Sequence, residues 1–351
     1  MFEDFINNKD TWLSGKGPFS EIIFSSRIRL ARNLADYSFP LRANKFQKEK
    51  VLKKIEEVHH GTPALKNTLF LRMQDVSELD RQFLLERHLV SQEHVLNFEG
   101  KGLVISSDEK ISLMVNEEDH LRMQVIFSGF DLKKCWEIVD EIDNEMQKRI
   151  NFAFLPNIGF LTSCPTNVGT ALRASCMLHL PALTFTKRIN KILELIAKIS
   201  FVTRGFFGEG TQALGDFFQI SNQISLGVSE AEVIENLSGV VNQVKEQEMD
   251  ARNLLLKKQK LNLEDNVWRS LGTLQNCRLI SSKEALSHLS ILSLGLDLGI
   301  IDDISREILN SLFLEIQPAH LQKIEGRILK EGERDYIRAQ ILRDKLGQKN
   351  D

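Results

Sequence analysis

The stretch Ser163–Met177 decides the fold around it and reads Ser-Cys-Pro-Thr-Asn-Val-Gly-Thr-Ala-Leu-Arg-Ala-Ser-Cys-Met. It begins as a loop of small and turn-forming residues that carries one thiol, Cys164. From Leu172 onward apolar and other residues alternate with a period of two, which predicts a half-buried strand with Arg173 on its second face. Such a loop is suited to chemistry, but the same pattern also fits a turn with a buried cysteine and an ion-paired arginine.

The overall composition sets limits on the class of protein. A chain of 351 residues is long enough for one large domain and a smaller one, and its net charge of −3 argues against a nucleic-acid partner. The four cysteines show neither metal-type pairing nor a disulfide framework. There is no signal-peptide pattern and no apolar run near the roughly 20 residues that span a membrane. We therefore expect a cytoplasmic protein with reduced thiols and no membrane contact.

Two arginines mark the first predicted strand, Glu21–Leu34. With a period of two, Ser25, Arg27 and Arg29 share one face of this strand. Two guanidinium groups two residues apart form a natural fork for an anion, because each can bind phosphate oxygens with two hydrogen bonds. The alternative is an edge strand with solvated charges.

A run of carboxylates follows the predicted hairpin Gly102–Val115. The sequence Asn-Glu-Glu-Asp-His at 116–120 places three acidic residues side by side, and Arg122 lies on the strand that follows. Adjacent carboxylates repel one another unless a cation lies among them. A metal ion or a guanidinium substrate would supply that cation, whereas the alternative is a solvated acidic turn.

The loop 201–211 is the last candidate for chemistry before the pattern becomes helical. It carries Arg204, Glu209 and three glycines, which suit a mobile lid or close approach to a ligand, and equally a bulged hairpin. A strand is predicted at Phe217–Leu226. A long helix follows at Ser229–Leu261, and only helical patterns come after it. We place a domain boundary near residue 250, giving domains 1–250 and 251–351.

These signals converge on phosphoryl transfer. Arginines on several strands would hold a polyphosphate and neutralise the transition state, while catalysis rests mostly on positioning. The sequence contains no Walker A motif and no kinase glycine-rich motif. The five arginines are Arg27, Arg29, Arg122, Arg173 and Arg204.

Four motifs, in order, resemble the catalytic domain of the ATP:guanidino phosphotransferase (phosphagen kinase) family. They are Ser-Ser-Arg-Ile-Arg, Asn-Glu-Glu-Asp-His-Leu-Arg, Cys-Pro-Thr-Asn-Val-Gly-Thr-Ala-Leu-Arg-Ala-Ser and Arg-Gly-Phe-Phe-Gly-Glu-Gly-Thr. The resemblance implies an α+β fold, an antiparallel β-sheet flanked by helices, followed here by an all-helical C-terminal domain. It also implies ATP and Mg²⁺, with no residue assigned as a direct metal ligand.

The resemblance also implies roles for particular residues. Glu118 and Glu209 would grip the acceptor guanidinium, Cys164 would lie beside it, and Glu117 would act through the water shell of the metal. A guanidinium is a poor nucleophile because it is protonated, so carboxylates that orient it and accept its proton are needed. The nucleotide would contact Ser25, Ser26, Arg27, Ile28, Arg29, His88, Arg122, Arg173, Ala174, Ser175, Cys176, Met177, Arg204, Gly205, Phe206, Phe207, Gly208 and Glu209.

The ends of the chain resemble the bacterial protein-arginine kinase branch of that family. Only about 24 residues precede the first arginine motif, whereas small-molecule phosphagen kinases carry about a hundred. The tail sequence Arg-Asp-Tyr-Ile-Arg-Ala at 334–339 fits an Arg-Asp-x-x-Arg-Ala motif. The resemblance implies an allosteric phosphoarginine receptor formed by Arg334, Asp335, Arg338 and Ala339. The alternative is an exposed, salt-bridged helix end.

That branch implies a protein-arginine kinase that marks proteins with exposed arginines for a Clp-type unfoldase and protease. It further implies a role in the stress response through a heat-shock repressor, a zinc-binding activator protein and a homodimer formed by the C-terminal helices. A small-molecule guanidino kinase and a weakly active phosphoarginine-binding adaptor remain alternatives. Gln212, Phe207 and Cys176 depart from the family pattern without removing a predicted catalytic group.

Overall fold

The computed structural model describes Phe5, residues 11–205 and residues 214–347. Within these residues eight strands form one antiparallel sheet in the order β2-β3-β4-β5-β1-β8-β10-β9, and β6 and β7 form a separate small hairpin. This is the α+β architecture expected from the sequence. The strands are β1 Ile23–Arg32, β2 Thr68–Arg72, β3 Gly102–Ser106, β4 Ile111–Val115, β5 Leu121–Ser128, β6 Phe154–Leu155, β7 Gly159–Phe160, β8 Leu172–His179, β9 Phe201–Gly205 and β10 Phe217–Asn222.

Helices cover one face of the sheet and build the C-terminal part of the chain. Helix α4 packs on β1 and β5, and α7 packs on β8 and β10. The helices are α1 Lys45–Gly61, α2 Glu78–Glu86, α3 Gln92–Leu96, α4 Leu132–Gln147, α5 Pro181–Phe185, α6 Ile189–Lys198, α7 Glu230–Lys258, α8 Lys260–Asn276, α9 Ser282–Asp297, α10 Arg306–Glu315, α11 Pro318–Glu325 and α12 Glu331–Gly347. None of the described helices is long and apolar enough to cross a membrane.

The predicted helix starts follow from side-chain capping. The Asp131 carboxylate accepts a hydrogen bond from the backbone N–H of Lys134 at the start of α4. Both halves of the capping box of Ser229 and Glu232 are present at the start of α7. The spacing of Ser281 and Glu284 predicts a second capping box at α9. This prediction is wrong, because the Ser281 hydroxyl accepts from the Glu284 backbone N–H without the reciprocal bond.

Two predicted boundaries also shift. The strand expected over 217–226 ends at Asn222, because its side chain bonds the backbone of β8 and of Ile224 and turns the chain away. The apolar spacing over 78–89 predicts a helix throughout, but the helix ends at Glu86 and His88 adopts a positive φ of 58°. Because the helix ends at Glu86, His88 can line the site described below.

The alternation along β1 separates the two faces of the sheet. Ile28 and Leu30 are fully buried beneath the helices, whereas Arg27 and Arg29 are half-buried on the opposite face. The main hydrophobic core continues from the sheet into the C-terminal helices, and α7 runs through residue 250. The boundary near that residue stays a prediction.

Helix α11 is bonded to α2 by several side chains, and the carboxylate of Glu86 is one of them. Glu86, the last residue of α2, accepts hydrogen bonds from the backbone N–H groups of Ala319 (2.8 Å) and His320 (3.0 Å). Its second oxygen also lies 2.7 Å from Nδ1 of His320. No side chain caps this helix at Gln317, so Glu86 takes that place.

Candidate active site

The register of the sheet places all five predicted arginines on one face. Arg29 lies directly opposite Arg173, and Arg27 lies opposite Ser175 on the same strand pair. Arg122 is paired with Ala31, two residues along β1 from Arg29. Residues directly opposite each other in an antiparallel pair share a face. Arg204 on β9 joins the same face through its pairing with Gln219.

Burial, together with this concentration of positive charge, lowers the pKa values of some of the guanidinium groups. Burial, followed by the charges of Arg122 and Arg204, lowers the pKa of Arg27 to about 10. Burial and the same neighbours, together with Arg27, lower the pKa of Arg29 well below its usual value. The Nε of Arg29 is buried without a hydrogen-bond partner among the described residues. A polyanion between these side chains would neutralise the repelling positive charges and would accept a hydrogen bond from Nε of Arg29.

Arg27 is already oriented by neutral side chains. Its Nη2 donates to Oε1 of Gln219 at 2.6 Å, and its Nε donates to the hydroxyl of Ser175 at 3.4 Å. Nη1 lies 3.5 Å from Oε1 of Gln124. Because amide and hydroxyl partners do not neutralise the guanidinium, the charge of Arg27 remains available to a ligand.

Two cavities meet at the arginines. The first has a volume of about 500 Å³ and is lined by residues that include Glu118, Asp119, Cys164 and Arg173; we call it the Cys164 cavity. The second has a volume of about 880 Å³ and is lined by residues that include His88, Arg27 and Gln219; we call it the His88 cavity. Both cavities are lined by Arg29, Arg122 and Arg204.

The C-terminal helices form part of the His88 cavity. Ser282 and Leu286 of α9 line it, as do Gln317 and Pro318 at the start of α11. The motifs do not predict this wall, because its first residue, Ser282, lies 71 positions beyond the end of the last motif at Thr211. Their position depends on the bond that Glu86 makes to the start of α11.

Glu117 is tied into the site as a fixed carboxylate. It pairs with Nη1 of Arg122 at 2.7 Å and accepts from the Ser91 hydroxyl at 2.5 Å and from the Glu118 backbone N–H at 2.9 Å. Burial by itself raises the pKa of Glu117, but Arg122 and these hydrogen bonds outweigh it and lower the pKa to about 2. Glu117 is therefore ionised throughout the physiological range.

Glu118 has the opposite electrostatic environment and lines the Cys164 cavity. Burial, followed by the charges of Asp119 and Glu117, raises the pKa of Glu118 above its usual value. Asp119 is held by Nδ2 of Asn33 (2.6 Å) and by the backbone N–H of Ser163 (2.7 Å). The acidic turn is thus fixed to the cysteine loop, and Glu118 is the member suited to bind a cation or accept a proton.

Arg173 shapes the cysteine loop. Its Nε donates to the Asn167 side chain at 2.9 Å, and its Nη1 donates to the carbonyl oxygens of Asn222 (2.7 Å) and Gln223 (2.8 Å). Its Nη2 donates to Thr166, whose hydroxyl lies 3.1 Å from Sγ of Cys164. Arg173 lines the cavity while holding together the loops that carry the thiol.

His88 lines the His88 cavity together with Arg27 and Gln124. Its carbonyl oxygen accepts from Gln124 at 2.8 Å, and its ring meets Trp12 edge to face at 5.8 Å. Burial and the charge of Arg27 lower the pKa of His88 to about 3, so the imidazole is neutral. Ser25, Ser175 and Met177 line a narrow recess next to it.

Some of the predicted nucleotide contacts lie elsewhere. The fully buried side chains of Ser26, Ile28, Ala174 and Cys176 lie on the helix-covered face, and the Ser26 hydroxyl accepts from the Asp131 backbone N–H at 3.0 Å. These four residues support the sheet rather than line the cavities. Gly205 lines the His88 cavity at the end of β9. Glu209, Phe206, Phe207, Gly208 and Gln212 lie outside the described residues.

The tail motif is folded into the helical domain. Arg338 is 1% exposed and donates from Nε to the carbonyl oxygen of Ile316 and from Nη1 to that of Ile280, both at 2.8 Å. Asp335 pairs with the same guanidinium. Ala339 is buried, and Arg334 donates to the carbonyl oxygen of Leu329 at 3.1 Å. The two arginines therefore differ: Arg338 holds two backbone segments together, and Arg334 lies nearer the surface.

Several supporting residues were not predicted. Gln124 and Gln219 orient His88 or Arg27, Ser91 holds Glu117, and Asn33 joins the acidic turn to the cysteine loop. Gln124 and Gln219 could have been found, because each lies on the arginine face by the period-two rule. Ser91 and Asn33 act through contacts that are distant in sequence and carry no local signal.

Comparison with known proteins shows the class to which this fold belongs. Residues 49–251 match the family model described as ATP:guanido phosphotransferase, C-terminal catalytic domain. A duplicated taurocyamine kinase from Schistosoma mansoni superposes with a TM-score of 0.61 at 27% identity, over 67% of this chain and 34% of that chain. A lombricine kinase has the same fold, with a TM-score of 0.59 at 23% identity over 67% of this chain and 68% of its own. Fold and site define a phosphotransferase of the ATP:guanidino class.

The remaining matches narrow the class. Residues 260–351 match the model described as Protein-arginine kinase McsB C-terminal domain. The chain is 46% identical over 345 residues to a protein-arginine kinase from Halothermothrix orenii, covering 98% of this chain and 99% of that protein. It is 43% identical to the protein-arginine kinase of Bacillus subtilis, covering 96% and 93%. The chain belongs to the protein-arginine kinase family.

Proposed function

We propose that this protein transfers the γ-phosphoryl group of MgATP to arginine side chains of proteins. The observation that supports this most directly is the shared arginine wall between two cavities. Arg29, Arg122 and Arg204 line both the Cys164 cavity, which contains carboxylates, and the larger His88 cavity. A triphosphate lying in the His88 cavity would place its terminal phosphate at this wall, facing the carboxylates.

The reaction follows from the two carboxylates of the acidic turn. The acceptor guanidinium binds in the Cys164 cavity, where Glu118 accepts its hydrogen bonds. A guanidinium nitrogen attacks the γ-phosphorus, the bond from phosphorus to the ADP oxygen breaks, and the nitrogen loses a proton to a carboxylate. The raised pKa of Glu118 makes it a better proton acceptor than Glu117. Glu209 is proposed as the second gripping carboxylate on the strength of its motif.

Mg²⁺ enters as part of the nucleotide. The described residues contain no group of three or more ligands that could hold a metal by themselves. This fits an ion bound mainly by phosphate oxygens and water, as is common for Mg²⁺. Glu117, ionised and fixed beside Arg122, would bind the water shell of that ion.

The tail motif is proposed as the phosphoarginine receptor. Binding of a phosphate by Arg334 and Arg338 would compete with the carbonyl oxygens that now hold Arg338. Gln317 and Ser282 line the His88 cavity, and they lie within two residues of Ile316 and Ile280. Binding at the tail motif would therefore change how the nucleotide binds. This contiguity is the physical route by which the motif would regulate the enzyme.

The cellular part of the proposal rests on family membership. We propose a cytoplasmic homodimer, formed through the C-terminal helices, that marks proteins for a Clp-type unfoldase and protease. Inactivation of a heat-shock repressor and dependence on a zinc-binding activator protein belong to the same proposal. These partners suit an enzyme of the stress response and protein quality control.

The deciding experiment uses purified protein, labelled MgATP and casein as an unfolded protein, beside free arginine. We expect acid-labile label on casein but not on free arginine, lost in Glu118→Gln and Glu209→Gln. Glu99→Gln is the matched control and keeps the label, because Glu99 is an exposed carboxylate paired with Lys45.

Two other results would replace the proposal. Label on free arginine alone would identify a small-molecule guanidino kinase. The Cys164 cavity is large enough to hold free arginine. No label, combined with tight binding of a phosphoarginine peptide that is lost in Arg338→Ala, would identify an adaptor.

A further inference from the structure

Exposed apolar side chains lie on two loops that pack against the cysteine loop. The hairpin β6–β7 presents Phe154, Leu155 and Ile158, which are 50%, 45% and 42% exposed. The loop after β10 presents Ile224 and Leu226, which are 50% and 55% exposed. We call these five side chains the apolar rim. Large apolar residues exposed together in this way are typical of an interaction surface.

The two loops and the cysteine loop are layered against one another. Phe160 of the hairpin pairs with Gly169 through backbone hydrogen bonds of 2.7 and 3.2 Å. A Cβ atom on Gly169 would overlap the backbone of Ser225 and Leu226, and one on Gly159 would overlap Gly169. The Ser225 hydroxyl also donates to the carbonyl oxygens of Thr166 and Val168. The rim is therefore built around the loop that carries the thiol.

One side chain fixes the base of the hairpin to the acidic turn. Nδ2 of Asn33 donates to Asp119 (2.6 Å) and to the carbonyl oxygen of Leu161 (3.1 Å). The carbonyl oxygen of Asn33 accepts from the backbone N–H of Ala153 at 2.7 Å. The base of the hairpin is thus fixed to the acidic turn that carries Glu118. Arg32 stacks on Phe160 at 3.4 Å and adds to that support.

The position of the rim specifies what it would contact. A free amino acid in the Cys164 cavity would end at the mouth of the cavity, whereas an arginine side chain brings its own polypeptide to that mouth. Gln223 lines the cavity and is followed directly by Ile224 in the rim. We infer that the apolar rim binds the extended polypeptide on either side of the acceptor arginine and favours segments with apolar residues there. This inference rests on the proposed function and specifies its substrate class.

The test compares two short peptides with one arginine each, flanked by leucine and phenylalanine or by serine and glycine. With labelled MgATP, we expect kcat/KM to be about tenfold higher for the apolar-flanked peptide, as partial burial of its two flanking apolar side chains would give. Leu155→Ser with Ile158→Ser, and separately Ile224→Ser with Leu226→Ser, should remove most of this preference. Labelling of the polar-flanked peptide should be unchanged in both, which shows that the site is intact.

Leu69→Ser is the matched control, because Leu69 is 48% exposed on β2 at the edge of the sheet and lines neither cavity. Equal rates for the two peptides, or a preference that survives in both rim variants, would overturn the inference while leaving the kinase activity established. Loss of self-association in the rim variants without loss of the preference would identify the rim as a contact between copies and also overturn it. Absence of label on either peptide and on casein would overturn the proposed function and this inference with it.

Discussion

Arg29 and Arg173 stand directly opposite each other on β1 and β8, but they have different hydrogen-bonding environments. Arg173 donates to four residues of the surrounding loops. Arg29 keeps a buried Nε without a partner among the described residues. One arginine of the pair therefore shapes the site, and the other retains its donors for an anion.

Arg29→Met should separate stability from nucleotide binding. Removing a cation from among Arg27, Arg122 and Arg204 relieves repulsion, so the free energy of unfolding without nucleotide should stay equal or rise. The increase in Tm on adding MgATP should be largely lost, because that increase reports binding to the folded state. Urea unfolding and thermal unfolding with and without MgATP measure the two effects.

Arg32→Met is the contrast, three residues along the same strand. Arg32 forms a buried ion pair with Asp143, with side chains 2% and 9% exposed. Its loss should cost about 3–5 kcal/mol, because the Asp143 charge would remain buried without its partner. Similar destabilisation by both substitutions would contradict the assignment of Arg29 to anion binding.

Glu118→Gln should give a more stable and inactive protein. Since the pKa of Glu118 is raised in the folded state, the folded protein binds this proton more tightly than the unfolded chain, and ionisation at neutral pH costs stability. We expect a higher Tm than that of wild type at pH 7, with the difference shrinking as the pH falls toward the usual carboxylate range. Transfer to casein should fall by at least about 100-fold. A lower Tm at pH 7 would show that the carboxylate is a structural group.

Glu117→Gln should act in the opposite direction on stability. The pKa of Glu117 is lowered from 4.5 to about 2, so its ionised form stabilises the folded protein fully above pH 4.5 and loses that effect as the pH falls through about 2. We expect a loss of about 1–3 kcal/mol at pH 7, because Arg122 and Ser91 lose a charged partner. Urea unfolding at pH 7, 5 and 4 should show the difference from wild type narrowing only below pH 4.5.

Arg338→Ala should affect both the helical domain and the nucleotide. Loss of the bonds to Ile316 and Ile280 should cost about 3 kcal/mol in the free energy of unfolding, since two buried carbonyl groups lose a charged donor. KM for ATP should rise, because both segments lead into the wall of the His88 cavity. Arg334→Ala should cost less than about 1 kcal/mol, and equal effects of the two substitutions would argue against the distinction drawn between them.

The sequence was informative where function depends on local alternation. The period of two placed Arg27 and Arg29 on one face of β1 and set Arg173 apart from the apolar residues of β8. The register then brings Arg122 and Arg173 onto the face of Arg27 and Arg29. The period of two also placed Cys176 with the apolar residues of β8, on the face away from the site. The motif resemblance alone had grouped Cys176 with the nucleotide contacts, because a linear motif includes both faces of a strand.

The sequence was uninformative where the site depends on contacts between distant segments. Nothing near Asn33 indicates that its amide joins residues 119 and 161, and nothing near Glu86 indicates that it caps a helix beginning at Pro318. Likewise, the buried position of Arg338 depends on carbonyl groups 22 and 58 residues away. Such contacts become visible only when the chain is folded.

The bond from Glu86 to the start of α11 has a consequence for how the two parts of the chain can change. Residues of the helical part complete the cavity beside Arg27, and bonds from Glu86 and Asp80 of α2 hold α11 there. A chimera that joined residues 1–250 of one relative to the helical tail of another would form this cavity only if the contact between Glu86 and the start of α11 were kept. The helical part is therefore not an interchangeable attachment, and substitutions at Glu86 and His320 should be inherited together.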